Sequence, residues 1–96
     1  MKLLTEEIKK QLPPIGSQDN NPDPIAIVKF FNPTGIGTWW AVEFNPETGV
    51  FFGKADLGFP ELGTFSLEEL ESYKGPFGLG IERALYWQAK PLSQCK

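Results

Sequence analysis

The sequence predicts an α+β domain: a mainly antiparallel sheet of three to five strands with two short helices. Three observations lead there. Runs rich in β-branched and aromatic residues, Ile25–Phe31, Thr38–Phe44 and Val50–Leu57, are bounded by clusters of Asn, Pro and Gly. Two of these runs flank Asn45-Pro46-Glu47-Thr48-Gly49, which has the chemistry of a tight hairpin loop. Two short apolar-periodic segments each follow a residue suited to cap a helix, Thr5 and Ser66.

Thr5 opens the first helix. Glu6 and Glu7 lie in the turn where the helix dipole favours carboxylates, and Lys9 and Lys10 toward the end that favours cations. Leu4, Ile8 and Leu12 recur at four-residue steps and make one apolar stripe, and Pro13-Pro14 ends the helix. So short a helix needs docking to persist. Residues 13–24 hold four prolines among Gly, Ser, Gln, Asn and Asp, and read as a loop, either a tether or a recognition loop.

Ile25–Phe31 reads as a strand buried on both sides. In the hairpin, Pro46 presets φ and Gly49 supplies a positive φ. With Asn45 opposite Val50, strand alternation puts Trp40, Val42, Phe44, Phe51, Ala55 and Leu57 on one face. Trp39, Ala41, Glu43, Phe52, Lys54 and Asp56 fall on the other. Gly58–Gly63 reads as a turn-rich link. Ser66-Leu67-Glu68-Glu69 is a capping box that opens a helix over Leu67–Ser72, closed by Gly75-Pro76. Gly78–Gln88 reads as a last strand, with Ile81, Arg83, Leu85 and Trp87 on one side and Glu82, Ala84 and Tyr86 on the other. The tail after Lys90-Pro91 reads as loose, with Cys95 a solvated, idle thiol.

Residues 1–96 make a single domain, since 41% hydrophobic and 14% aromatic content suffices for a core at this length. A net charge of −3 with no basic stripe argues against a duplex DNA-binding domain. One cysteine cannot form an internal disulfide, which fits a reducing, cytoplasmic setting. The opening apolar run is too short for a signal peptide, and no stretch approaches the roughly 20 apolar residues of a membrane span.

Several stretches together resemble a known family. They are Met1-Lys2-Leu3-Leu4-Thr5 leading to Leu12-Pro13-Pro14, then Val28-Lys29-Phe30-Phe31-Asn32-Pro33, and Leu62-Gly63-Thr64-Phe65-Ser66-Leu67-Glu68-Glu69-Leu70-Glu71-Ser72. Gly75-Pro76-Phe77-Gly78-Leu79 with Ile81-Glu82-Arg83 completes the set. In this order, over nearly the whole chain, they resemble domain-of-unknown-function family 2958, small bacterial proteins of plasmids, integrated elements and phages. The resemblance implies an accessory protein among conjugation and antirestriction genes. It carries no agreed activity and so no catalytic residue. Ala84 departs from it, standing where relatives often have an acidic residue after the Glu-Arg pair.

Histidine is absent, which removes Ser-His and Cys-His nucleophile pairs and the commonest transition-metal ligand. With one cysteine, a structural zinc site is excluded, and neither a cofactor nor a metal is expected. Glu43, Asp56, Glu82 and the helix glutamates Glu68, Glu69 and Glu71 offer carboxyl groups, but no pattern makes a catalytic pair of them. Gly75–Gly80 lacks the phosphate-loop spacing and reads as a turn. The expected function is therefore non-enzymatic binding of another protein. The candidate surface joins Trp39, Phe52 and Tyr86, aromatics opposite the main apolar row, to Lys54, Glu82 and Arg83. Two alternatives stay open: the N-terminal helix covers those aromatics, or they stack the bases of a single-stranded nucleic acid. Arg83 either braces the fold through a carboxylate or grips an anionic ligand.

Overall fold

A computed structural model describes residues 2–95. In chain order the elements are α1 (Glu6–Gln11), β1 (Ile25–Ala26), β2 (Val28–Phe31), β3 (Thr38–Asn45), β4 (Val50–Asp56), β5 (Pro60–Ser66), α2 (Leu67–Ser72), β6 (Glu82–Arg83) and β7 (Lys90–Pro91). Strands β5-β4-β3-β2-β6 form one antiparallel sheet, and β1 pairs with β7 in a two-stranded sheet beside it. The fold is α+β, as the sequence predicts.

Both helix caps form at the expected residues. The Thr5 hydroxyl accepts a hydrogen bond from the Ile8 N–H, and the Ser66 hydroxyl accepts one from the Glu69 N–H at 3.0 Å. Leu4 and Leu12 are buried and Ile8 is half-buried, so the stripe of α1 docks on the sheet.

The hairpin register also holds at its loop end, with Asn45 opposite Val50 and Phe44 opposite Phe51. Two residues further it breaks. Glu43 pairs with Phe52 but Ala41 pairs with Gly53, so Val42 is an extra residue bulged out of the ladder. One inserted residue in a period of two reverses every side chain beyond it. Trp39 and Ala41 therefore lie with Phe44, Phe51 and Ala55, while Trp40 lies with Glu43, Phe52 and Lys54. The expected grouping of Trp40 with Phe44, and of Trp39 with Phe52, is corrected. Gly53 permits the bulge: a Cβ there would meet the Trp40 carbonyl oxygen at 2.0 Å.

The first face carries the main core. Phe51 lies at its centre, with ring centroids 5.5 Å from Phe30, 4.6 Å from Phe44 and 5.4 Å from Phe65. Leu3, Leu4, Leu12, Leu70 and Ile81 close over this layer. The second face holds a smaller cluster of Ala26, Trp40, Val42, Leu92 and Cys95, with Trp87 against it.

Three further expectations change. The run from Ile25 breaks at Ile27, because β1 pairs with the C-terminal β7 while β2 pairs with β3. The presumed link at Gly58–Gly63 is mostly strand, since β5 extends the sheet from Pro60. The last strand shrinks to β6: after Arg83 the chain turns, the Trp87 N–H bonding the Ala84 carbonyl, and Leu85 and Tyr86 face solvent. The tail is not loose either, and Cys95 is 1% exposed, because β7 and the turn at Leu92–Gln94 pack it against Trp40 and Val42.

Candidate functional site

On the first face the core is left open beside the turn into β5. Trp39, Ala55, Phe65, Leu70 and Ile81 form the floor of a pocket of about 370 Å³, and Ile36, Leu57 and Tyr73 form its rim. Each rim residue arrives by a turn. Ile36 stands in the β2–β3 connection ahead of Gly37, which has φ +144° and lies so close to the Trp39 indole that a Cβ would meet it at 2.8 Å. Leu57 begins the short turn from β4 to β5, and Tyr73 ends α2. Ile36 and Leu57 are 71% and 63% exposed, and Phe59 beyond the rim is 73% exposed, so apolar surface runs from the core out into solvent.

The polar groups here are few. Asn32 donates through Nδ2 to the Tyr73 hydroxyl at 3.3 Å and accepts the Thr34 N–H at 3.0 Å through Oδ1. Glu69 is the carboxyl group at the pocket. Asn32, Tyr73 and Thr64 are the other polar residues that line the pocket. Among the described residues no group of three or more His, Cys, Asp or Glu could hold a metal ion.

The second face is built differently. Glu43 is 2% exposed, and its two carboxyl oxygens accept the backbone N–H groups of Gly16 at 3.0 Å and Gln18 at 2.7 Å. The Gln18 side chain in turn accepts from the Ile25 N–H at 2.9 Å. Residues 13–24 are thus tied down by polar bonds to β3 and β1. Asp23 continues the tie, accepting the N–H and hydroxyl of Ser93. Beside this loop Lys29 and Lys54 stand 5.9 and 5.2 Å from the Trp40 ring centroid, and Lys29 and Lys90 stand 5.6 and 4.5 Å from that of Trp87. Lys54 also donates to the Cys95 carbonyl at 2.9 Å. Burial pushes the Cys95 thiol up from its ordinary pKa, with the ammonium groups of Lys54, Lys90 and Lys29 pulling the other way. The indole N–H groups of Trp40 and Trp87 are buried, and no acceptor for them is present among the described residues.

The candidate residues read from the sequence do not meet in one place. Trp39 forms part of the pocket floor on the first face. Phe52 and Lys54 lie on the second face, Phe52 half-buried next to the loop of residues 13–24. Glu82 and Arg83 occupy β6, paired with Phe31 and Phe30, and so point to opposite faces. Tyr86 is 97% exposed in the turn beyond. Helix α1 accordingly covers the face of Trp39 but neither Phe52 nor Tyr86. Arg83 donates through Nη1 to the Lys2 and Leu3 carbonyls at 2.7 and 2.9 Å. Sequence reasoning missed Ile36, Leu57 and Tyr73, whose apolar character in turn segments was the available signal.

The family model described as "Protein of unknown function (DUF2958)" matches residues 3–95. The chain belongs to this family. No curated protein and no solved structure matches it. Among the described residues no helix is long and apolar enough to cross a membrane.

Proposed function

We propose that this DUF2958 protein is a non-enzymatic interaction module, an accessory protein of bacterial mobile genetic elements, that binds another protein through the first-face pocket. The observation that carries this reading is the continuous apolar path from Trp39, Phe65 and Leu70 to the exposed Ile36, Leu57 and Phe59. Contiguous exposed apolar surface with a concave centre is what partner side chains fill in protein interfaces. The mobile-element setting rests on the family resemblance alone.

A single-stranded nucleic-acid reading has one observation in its favour, the row of Lys54, Lys29 and Lys90 against Trp40 and Trp87. It ranks second because base stacking needs an open ring face. Trp40 is 3% exposed, and Trp39 lies across the sheet from Phe52.

The test is cross-linked capture from a bacterial host with three baits: the wild type, Leu57→Asp, and Phe77→Ser, whose side chain is 97% exposed away from the pocket. A protein caught by the wild type and Phe77→Ser but lost with Leu57→Asp is the expected result. Equal capture by all three, or salt-sensitive recovery of nucleic acid alone, overturns the reading.

A further inference from the structure

The two margins of the main sheet are not alike. β6 closes one with two residues, and so short an edge offers little to pair with. β5 closes the other with seven residues, in unbroken register with β4, and among the described residues no strand lies beyond it. Among the described residues no backbone bond crosses that outer margin, and Glu61, Leu62 and Thr64 are exposed along it. Edge strands are ordinarily protected by lysines, bulges, internal prolines or a covering element. β5 has no lysine and no bulge, and its proline, Pro60, stands at the first position.

Charge says what belongs there. From Ala55 to Tyr73 the chain carries five acidic residues, Asp56, Glu61, Glu68, Glu69 and Glu71, and no basic one. None of the five makes an ion pair with a described residue. Of these, Glu61 lies on β5 itself and Glu69 lines the pocket, so a second copy pairing edge to edge would bring two acidic edges together, which like-charge repulsion opposes. A basic segment is drawn to the same margin. The pocket supplies the apolar half of the recognition: on an added strand every second side chain faces the side of Phe65, where Leu70 and Trp39 lie.

We propose that β5 receives an extended segment of a partner protein as a further strand, with apolar residues at alternate positions entering the pocket and Lys or Arg meeting Glu61 and Glu69. Main-chain bonds supply affinity in such an arrangement, and the pocket and charges supply selectivity. This rests on the pocket being a protein-binding site.

The experiment selects binders from a display library of random twelve-residue peptides, with the full chain as bait, and follows amide exchange of the chain with each selected peptide. The expected binders alternate apolar residues, are enriched in Lys and Arg, and slow exchange along β5. Reversing Glu61→Lys and Glu69→Lys together is expected to weaken them by about tenfold or more, as lost charge complementarity does. Binders that protect Trp39 and Tyr73 while β5 exchanges freely, or that ignore the reversal, overturn strand addition but leave the pocket reading standing. Binders indifferent to Leu57→Asp as well overturn both. A library yielding no binder, or self-association of the chain that protects β5, overturns the proposal.

Discussion

The two faces of the sheet are closed by opposite means. On the first, Phe30, Phe44, Phe51 and Phe65 pack under Leu3, Leu4, Leu12 and Leu70, with the Arg83 side chain also holding the Lys2 and Leu3 carbonyls. On the second, a loop without regular structure is held by Glu43 and Gln18, and the C-terminal segment is held by Lys54 and Asp23. Burial is non-directional and tolerates an open end, which is how the first face can support a pocket without losing its core. Polar bonds fix one arrangement of a Pro-rich loop that its own sequence would leave free. One face is therefore suited to receive a partner, and the other to hold the chain's own connections in place.

Removing one group from each face sharpens that contrast, and the larger effect belongs to the first. Phe51 is 0% exposed and touches three rings, so Phe51→Ala loses the transfer energy of a large side chain and leaves a cavity. The expected cost is about 3–5 kcal/mol, read as a lower urea midpoint. Glu43→Ala strands the Gly16 and Gln18 N–H groups and should cost about 2–3 kcal/mol. Its distinguishing mark is local. Amide exchange should accelerate through residues 16–18 while Phe44 and Phe51 remain protected. Acceleration spread evenly over both faces would mean that Glu43 supports the main core, and the contrast between the faces would fail.

The same contrast explains what could be read in advance. Caps and the hairpin register were legible because each depends on residues a few positions apart: Thr5 with Ile8, Ser66 with Glu69, Asn45 with Val50. The bulge at Val42 was not, because alternation assumes an unbroken ladder. Its trace in the sequence was Gly53, a glycine inside a strand pattern where backbone must approach closely. That one residue decided which tryptophan entered the main core and so dispersed the candidate surface. β5 was hidden by Pro60 and Gly63, residues that punctuate chains elsewhere and here sit in a hairpin edge strand, with Gly58 in the turn before it. The burial of Cys95 and the pairing of β1 with β7 depend on partners about fifty to seventy positions away, beyond any local pattern.

The smallest expected effect concerns the clasp between the loop and the C-terminal turn. Ser93 donates its hydroxyl and its N–H to the Asp23 carboxylate, and these bonds, side chain first, hold the Asp23 pKa below its ordinary value of 3.8. A carboxyl group whose folded pKa is depressed contributes stability above its unfolded pKa and loses it as pH falls through the folded one. The clasp is thus intact at neutral pH and weakens only below about pH 4, the ordinary carboxyl range. Ser93→Ala removes the first of the two bonds, so the Asp23 titration followed by carboxyl carbon NMR should move up toward 3.8 without reaching it. Stability near pH 7 should change little, because Asp23 is solvated and an exposed hydrogen bond competes with water. An unmoved titration would show that the backbone N–H of Ser93 alone sets it. A large loss of stability at pH 7 would show that the second face leans on this clasp rather than on the buried bonds of Glu43.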